Sequence, residues 1–456
     1  MRKGTAMGGE KGSGIPLSQK VGYVGSAAAM SIILMYVPTF ITIYYTDIVG
    51  LASATVGTIM LATKVTDGVS DIIMGAIIDR THTKIGKARP WILAGGAGCG
   101  ICLYLLFSAP ESLGTVGTIV FCTATYFLTC PFFGTILSVA EGSIIPMISS
   151  SERGRTVLGL INSFTLIVVT ICISVCTPLV ISAMGESRQT YQVVTLVYAV
   201  LTVVSAVVGV VLLREHEAPA QEGAQQKVPV TESLKYLLKN KHFIFLAIGA
   251  IAYNTALMSG GTTYYAKYIL GDIGYASIFT LCTGGTYVLL FFAYKLREKF
   301  SLRQLFSFGF LIMAAGCLLM YFANANLVLI VISMALRGVG ALPFLCYAAP
   351  LTGYISDYAL YQSGHHMDGI VYSGYSMGGK VGTGLGSALV GWIIGLCGYS
   401  GTAVVQTGAA IMSIRVVNSL VPMVFALLAA VCFWQITVED GIGDIQAELK
   451  AQGLRS

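Results

Sequence analysis

The chain has 456 residues, of which 55% are hydrophobic and only 11% charged, and its mean hydropathy is +0.78. A globular domain carries roughly 25% charged residues, so these values exclude a soluble protein. At about 20 residues per spanning helix, the apolar bulk supplies about twelve spans and leaves no room for a soluble domain of ordinary size. The net charge of +6 comes from short Lys and Arg clusters between apolar runs, which is the pattern of orientation signals rather than of a nucleic-acid surface.

The stretch 1–20 is Gly-rich and polar and lacks a hydrophobic core with a small-residue cleavage site, so a cytoplasmic tail is expected, with the mature chain beginning near Met1. Apolar segments follow at roughly 21–46, 54–78, 91–109, 115–148, 155–183 and 191–213, a six-helix bundle over 21–213. The polar stretch 214–241 has the Pro, Gln and Glu content of a linker, with an amphipathic helix expected at its end. Six more segments, at roughly 242–269, 273–295, 302–323, 326–356, 369–399 and 409–437, give a second bundle over 242–437, and 438–456 is a tail. Cations crowd alternate connections (Arg80 to Arg89, Arg153, Arg155, the linker, Lys295 to Arg303) against only Arg188, Lys267 and Arg415 on the others, which places both termini in the cytoplasm of a multi-pass cell-membrane protein. YYTDIVG (44–50) and YYAKYILG (264–271) end the first and seventh segments about half a chain apart. The expectation is an all-α integral membrane protein of twelve transmembrane helices, two six-helix bundles related by a pseudo-two-fold repeat, on the plan of an alternating-access secondary transporter.

Charges inside the apolar segments carry the functional reading. In KVTDGVSDIIMGAIIDR (64–80), Lys64, Asp67 and Asp71 recur at i, i+3 and i+7 on one helical face. Two carboxylates one turn apart cannot comfortably both ionise in a membrane without a cation, a proton or a basic partner. Ser70 adds a neutral oxygen, and hard oxygen donors suit Na⁺ or Li⁺ while a protonated Asp serves H⁺. The alternative is a Lys64–Asp67 ion pair that only docks helices. Glu141 and Arg337 also fall within the hydrocarbon region: Glu141 as a hydroxyl or proton ligand, Arg337 as a fork for a carboxylate or phosphate, or the two paired with each other. Lys380 lies about eleven residues, or ~16 Å, into its segment, near the midplane, and needs an acidic neighbour or a substrate group. The glycines around it (374, 378, 379, 382, 384, 386) read as close helix packing rather than a phosphate loop. Tyr45, Tyr126, Phe133, Tyr264, Tyr372 and Trp392 offer stacking faces, though aromatic residues on such helices are more often core or belt. The eleven Cys lie in apolar stretches without a CxxC and read as reduced core residues, and the tandem His365 and His366 as a solvated loop pair. With no phosphate-binding loop, zinc motif or nucleophile motif beside a His, no enzymatic chemistry and no resident metal or cofactor is expected.

Several of these motifs together resemble one family, the glycoside-pentoside-hexuronide cation symporters (melibiose/sodium symporter-like) of the major facilitator superfamily. KVTDGVSDIIMGAIIDRTHTKIGKARPWIL (64–93) is similar to its second-helix signature and 355–399 to its second signature, with an Asp-Tyr pair and an embedded Lys; YYTDIVGLASATVG (44–57) is similar as well. The resemblance implies symport of a sugar with Na⁺, Li⁺ or H⁺ by a monomer in the bilayer. It implies that Asp67 and Asp71 bind the coupling cation, with Ser70 where an Asn often helps and Ser376 where a hydroxyl contributes. Lys64 stands where an Arg is usual, and Lys380 matches the Lys that links cation and sugar sites. Asp79, Arg80, Lys87, Arg89 and Asp357 resemble a cytoplasmic gate. The sugar-gripping acids of galactoside carriers are matched by Ser31 and Ser138, with Glu141 one turn on, and the fifth-helix Arg is replaced near Asn162 or Ser163. Phe133, Arg337, Tyr372 and Lys380 complete the expected substrate set. TCPFFG (129–134) and SVAEGSIIP (138–146) both resemble the same family segment, leaving that alignment open. These departures argue against a galactoside and leave an oligosaccharide or a hexuronide, with a lysolipid or other amphiphile, or a transport-incompetent sensor on the same scaffold, as alternatives.

Overall fold

A backbone that meets no water can cross a bilayer only with its hydrogen bonds satisfied internally, and this sequence does so with helices. The computed structural model describes residues 15–149, 152–215, 236–290, 295–364, 368–403 and 405–451. Among the described residues every named element is helical, and an isolated Thr83–Gly86 bridge is the one extended contact. The first half comprises α1 (Leu17–Ile43), α2 (Ser53–Arg80), α3 (Arg89–Leu106), α4 (Thr115–Phe127), α5 (Thr135–Ile148), α6 (Glu152–Met184) and α7 (Arg188–Leu212). The second comprises α8 (Lys241–Met258), α9 (Thr262–Tyr268), α10 (Ala276–Gly285), α11 (Leu302–Ala323), α12 (Leu327–Ser363), α13 (Asp368–Leu396), α14 (Gly408–Asn418), α15 (Leu420–Trp434) and α16 (Ile442–Ala451).

Helix starts follow local capping chemistry. Ser187, Asn240, Asn326 and Thr407 accept first-turn N–H groups of α7, α8, α12 and α14, and Ser301 forms a capping box with Gln304 on α11. The α3 N-terminus is capped from a distance: the Glu215 carboxylate, just past α7, accepts the backbone N–H groups of Lys87, Ala88 and Arg89 at 2.5, 3.0 and 2.8 Å. Interruptions are equally local. A π-turn, Tyr44–Ile48, extends α1 beyond Pro38, and another, Leu128–Gly134 with Pro131 inside it, joins α4 to α5. Gly261, at φ +50°, separates α8 from α9, a conformation that favours glycine. The expected segment 409–437 is broken at Ser419, and the expected tail 438–456 contains α16.

Among the described residues ten helical stretches are long and apolar enough to cross a membrane. Two expected spans fall outside that number: α2 carries Lys64, Asp67, Asp71, Asp79 and Arg80, and the span expected over 273–295 is described as an apolar helical stretch over Ile273–Leu289, with 291–294 outside the described residues. Packing pairs α1 with α6 and α7 and α3 with α5 and α7 in the first half, and α11 with α12 and α15 and α8 with α13 and α15 in the second; α2 meets α13, and α6 meets α10, across the halves. Glycines permit the closest of these approaches. A Cβ on Gly382 would lie 2.4 Å from the Ile251 carbonyl of α8, and one on Gly391 2.3 Å from the Ser53 carbonyl of α2. One continuous core fills the first half and runs on through Tyr264, Tyr265, Ile394 and Tyr399, whereas a separate core around Phe306, Phe310 and Phe433 fills the rest of the second. We call the face that carries Leu17, Leu212 and Lys241 the linker side and the other the far side.

Candidate functional site

The charges of α2 form one cluster at the contact with α13. Lys64 Nζ lies 3.5 Å from Asp67 Oδ2, one turn along the helix. Lys380 Nζ donates to the Asp67 carbonyl at 3.3 Å, lies 3.6 Å from Asp67 Oδ1 and bonds Asp71 Oδ2. Two ammonium groups thus balance two carboxylates, so the cluster is neutral as it stands. The balance is incomplete at one atom: Asp71 Oδ1 is buried and has no hydrogen-bond partner. The arrangement is what the i, i+3, i+7 spacing on α2 and a midplane Lys on the facing helix require.

One ligand was not anticipated. Thr135, the first residue of α5, donates its hydroxyl to Asp67 Oδ1 at 2.9 Å and lies 3.2 Å from Ser70 Oγ, which itself donates to the Asp67 carbonyl at 3.0 Å. Carboxylate and hydroxyl oxygens from α2 and α5 therefore converge beside Asp67, a hard donor set suited to a small monovalent cation. The π-turn at Leu128–Gly134 sets the register that turns Thr135 toward α2, and no single-sequence period carries that signal.

The remaining expected residues divide. Ser138 is half-buried one turn beyond Thr135 and donates to the Thr135 carbonyl. Ser376 is half-buried one turn before Lys380 but makes no hydrogen bond to either acid. Ser31 is 3% exposed and bonded to its own helix at the Ala27 carbonyl. Phe133 packs its ring onto Gly98 of α3. Tyr45 donates to the Cys122 carbonyl, and Tyr126 is buried within the first half. Tyr372 is exposed on α13. The Glu141–Arg337 pair is not formed: Glu141, buried, accepts from Tyr23 at 3.0 Å, while Arg337 donates to the Asn418 carbonyl and Oδ1 at 3.5 and 3.3 Å in the other half. Arg337 thereby caps the C-terminal end of α14 at its break, where helix carbonyls supply negative potential. Arg89 is bonded to the Ile85 and Val210 carbonyls, Arg80 and Lys87 are exposed, and Asp357 accepts from Gln446 of α16 at 2.7 Å. The Asp79 side chain and the His365–His366 pair lie outside the described residues. Of the cysteines, Cys172 and Cys176 are exposed rather than core, and all described are free thiols.

The far side is locked instead. Asp47, its side chain 1% exposed, accepts from Lys267 at 2.6 Å, Tyr268 at 2.7 Å, Thr46 at 2.7 Å and Tyr399; Lys267 also pairs with Glu186 at 2.5 Å. Thr46 and Tyr264 hydroxyls meet at 2.9 Å. Asp47 and Glu186 belong to the first half, Lys267, Tyr268 and Tyr399 to the second. The signal was present in the paired motifs: YYTD and YYAK carry opposite charges at the same position, and these two residues bond across the pseudo-two-fold.

The sequence from residue 22 to 440 matches the family model described as MFS/sugar transport protein. The chain belongs to that family. It is a membrane transporter of sugars of the glycoside-pentoside-hexuronide cation symporter group within the major facilitator superfamily, and not an enzyme. It is similar to the glucuronide carrier protein homolog of Escherichia coli (strain K12), 26% identical with 88% of each chain covered, and to the isoprimeverose transporter of Lactiplantibacillus pentosus, 25% identical over 92% of this chain and 89% of that one. Among solved structures it is similar in fold, with a TM-score of 0.67 at 13% identity over 94% of this chain and 97% of that one, to a bacterial homolog of the human lysosomal transporter Spinster in an inward-facing, unoccupied conformation.

Proposed function

We propose that this transporter is a twelve-span, monomeric secondary carrier of the cell membrane that symports a glycoside, oligosaccharide or hexuronide with Na⁺, Li⁺ or H⁺. Its linker side is cytoplasmic. The observation that carries the reading is the shared hold of Lys380 on both acids, with one buried Asp71 oxygen left over. In this arrangement Lys380 satisfies the acids while no cation is bound. A cation taken up by Asp67, Asp71, Ser70 and Thr135 competes for the same oxygens and releases the ammonium toward the solute, whose hydroxyls or carboxylate it then meets. Each ligand thus prepares the other's site, and the affinity coupling is reciprocal. The Asp47 lock, which ties the two halves together on the far side, supports an inward-facing state in an alternating-access cycle. The names of the relatives favour a sugar over an amphiphile.

The test is cation movement evoked by candidate solutes. Cells expressing the protein, in weakly buffered medium with or without Na⁺, are pulsed with glycosides, hexuronides and lysolipids while pH and Na⁺ are recorded. A glycoside- or hexuronide-specific flux that disappears in Asp71→Asn is the expected result. Concentrative uptake unchanged in that variant rejects the site, and flux with lysolipids alone rejects the substrate class.

A further inference from the structure

Between the halves, beneath the Asp47 lock, lies a cavity of about 190 Å³ that the cation cluster does not use. It is smaller than the roughly 300–1,000 Å³ typical of drug-sized ligands, and so has room for a single ring. Its walls come from α1, from the α8–α9 junction and from α13. Pro38, which has no N–H to donate, lies within the continuous helix α1 at its edge, and Gly260 and Gly261 separate α8 from α9 there. The break between α8 and α9 exposes irregular backbone to the cavity, as discontinuous helices of transporters do at ligand sites.

The lining has a definite polarity. Thr39 Oγ1 donates to the Met35 carbonyl at 2.6 Å, Thr263 Oγ1 to the Thr39 carbonyl at 3.3 Å, Ser387 Oγ to the Thr383 carbonyl at 3.1 Å and Thr42 Oγ1 to the Met60 sulfur at 3.5 Å. These four hydroxyls have spent their protons and offer oxygen lone pairs, while Thr262 and the first N–H groups of α9, which has no side-chain cap, supply donors. The end of α8 adds last-turn carbonyls, which a helix cannot satisfy itself. Met35, Pro38 and Met258 supply apolar surface, and the Arg337 guanidinium lies directly behind Gly260 of the wall. Such a surface takes a ring that both donates and accepts hydrogen bonds and has an apolar face.

Position then fixes what the ring is attached to. Ser387 lies seven residues beyond Lys380 on α13, about 10 Å by helical rise, too far for one ring to touch both. Resting on the reading of the chain as a glycoside symporter, the geometry points to a second sugar subsite: this cavity holds the far ring of a two-ring glycoside whose other ring reaches Lys380.

The experiment compares matched pairs that share a ring, methyl xyloside with xylobiose and methyl glucoside with cellobiose and maltose, as substrates of the full-length protein. Ser387→Leu fills the cavity from α13, and Thr39→Leu fills it from α1 should the first variant fail to fold. The expected result is a half-saturating concentration that rises at least tenfold more for the disaccharide than for its methyl glycoside, in either variant. Equal effects on both members of a pair, or no effect on either, overturn the subsite while leaving glycoside symport standing. If the unaltered protein moves none of these solutes although Asp71-dependent cation binding is intact, the subsite falls, and glycoside symport stands or falls by the solute-evoked cation flux.

Discussion

Replacing Lys267 with Met is the sharpest perturbation of the far-side lock. The Asp47 side chain is 1% exposed and Lys267 21%, so the variant leaves a buried carboxylate held only by the hydroxyls of Thr46, Tyr268 and Tyr399. Removing one partner of a buried pair costs about 3–5 kcal/mol, and the remaining hydroxyl donors bring the loss here toward ~2–3 kcal/mol. The bonds exist only while the far side is closed, and Asp47 rehydrates once it opens, so the loss falls on the closed state alone. At 1.4 kcal/mol per tenfold, the closed-to-open ratio drops about 30- to 150-fold. Asp47→Asn costs less, about 1 kcal/mol, because the hydroxyls keep an acceptor and Lys267 keeps Glu186 at 2.5 Å. The assay is pulsed electron paramagnetic resonance between labels at Ser112 and Ala403, exposed far-side positions of the two halves. The labels are carried on ketone amino acids because Cys172 and Cys176 are exposed. Lengthened distances in Lys267→Met, smaller changes in Asp47→Asn and partial recovery in the double variant are expected. Unchanged distances in Lys267→Met, or a larger change in Asp47→Asn, refute the reasoning.

Two further variants separate ligands from scaffold. Thr135→Val removes the 2.9 Å bond to Asp67 while keeping the side chain's shape, and the cation concentration for half-maximal solute uptake rises about tenfold or more, read from uptake at graded Na⁺, Li⁺ and pH. Arg337→Met removes the cap on α14 at a cost of about 1–2 kcal/mol, lowering the Tm with the half-saturating solute concentration unchanged; a raised half-saturating concentration at constant Tm would mark Arg337 as a solute ligand instead.

Much of the site was legible because charge in a membrane is expensive. Lys64, Asp67, Asp71 and Lys380 stand out against apolar helices, and their helical spacing foretold which would meet. The glycines of α13 were legible for the same kind of reason, since small residues at repeated intervals imply close approach, as Gly382 on α8 makes. Thr135 was not legible: a Thr hydroxyl in a helix ordinarily bonds its own backbone, and the preceding π-turn shifts the face on which it falls. The partner of Arg337 was less legible: a buried guanidinium suggests an acid or an anion, whereas here it meets the Asn418 carbonyl, which Pro422, four residues on, has no N–H to satisfy. Ser31 was placed by resemblance alone, and its hydroxyl satisfies its own helix. The gate residues Arg89 and Asp357 find other partners in this conformation, because a sequence encodes every state of the cycle and a structure displays one.

The central claim is that Asp67 and Asp71 hold the coupling cation and that solute and cation strengthen each other there. Equilibrium binding to the purified protein tests it most directly: solute affinity is measured across cation concentration, and cation affinity across solute concentration. In the unaltered protein the two enhancement factors are equal and greater than one, as linkage requires. In Asp71→Asn, folded by its thermal transition, both fall to one. A cation-dependent solute affinity that survives in Asp71→Asn would contradict the account.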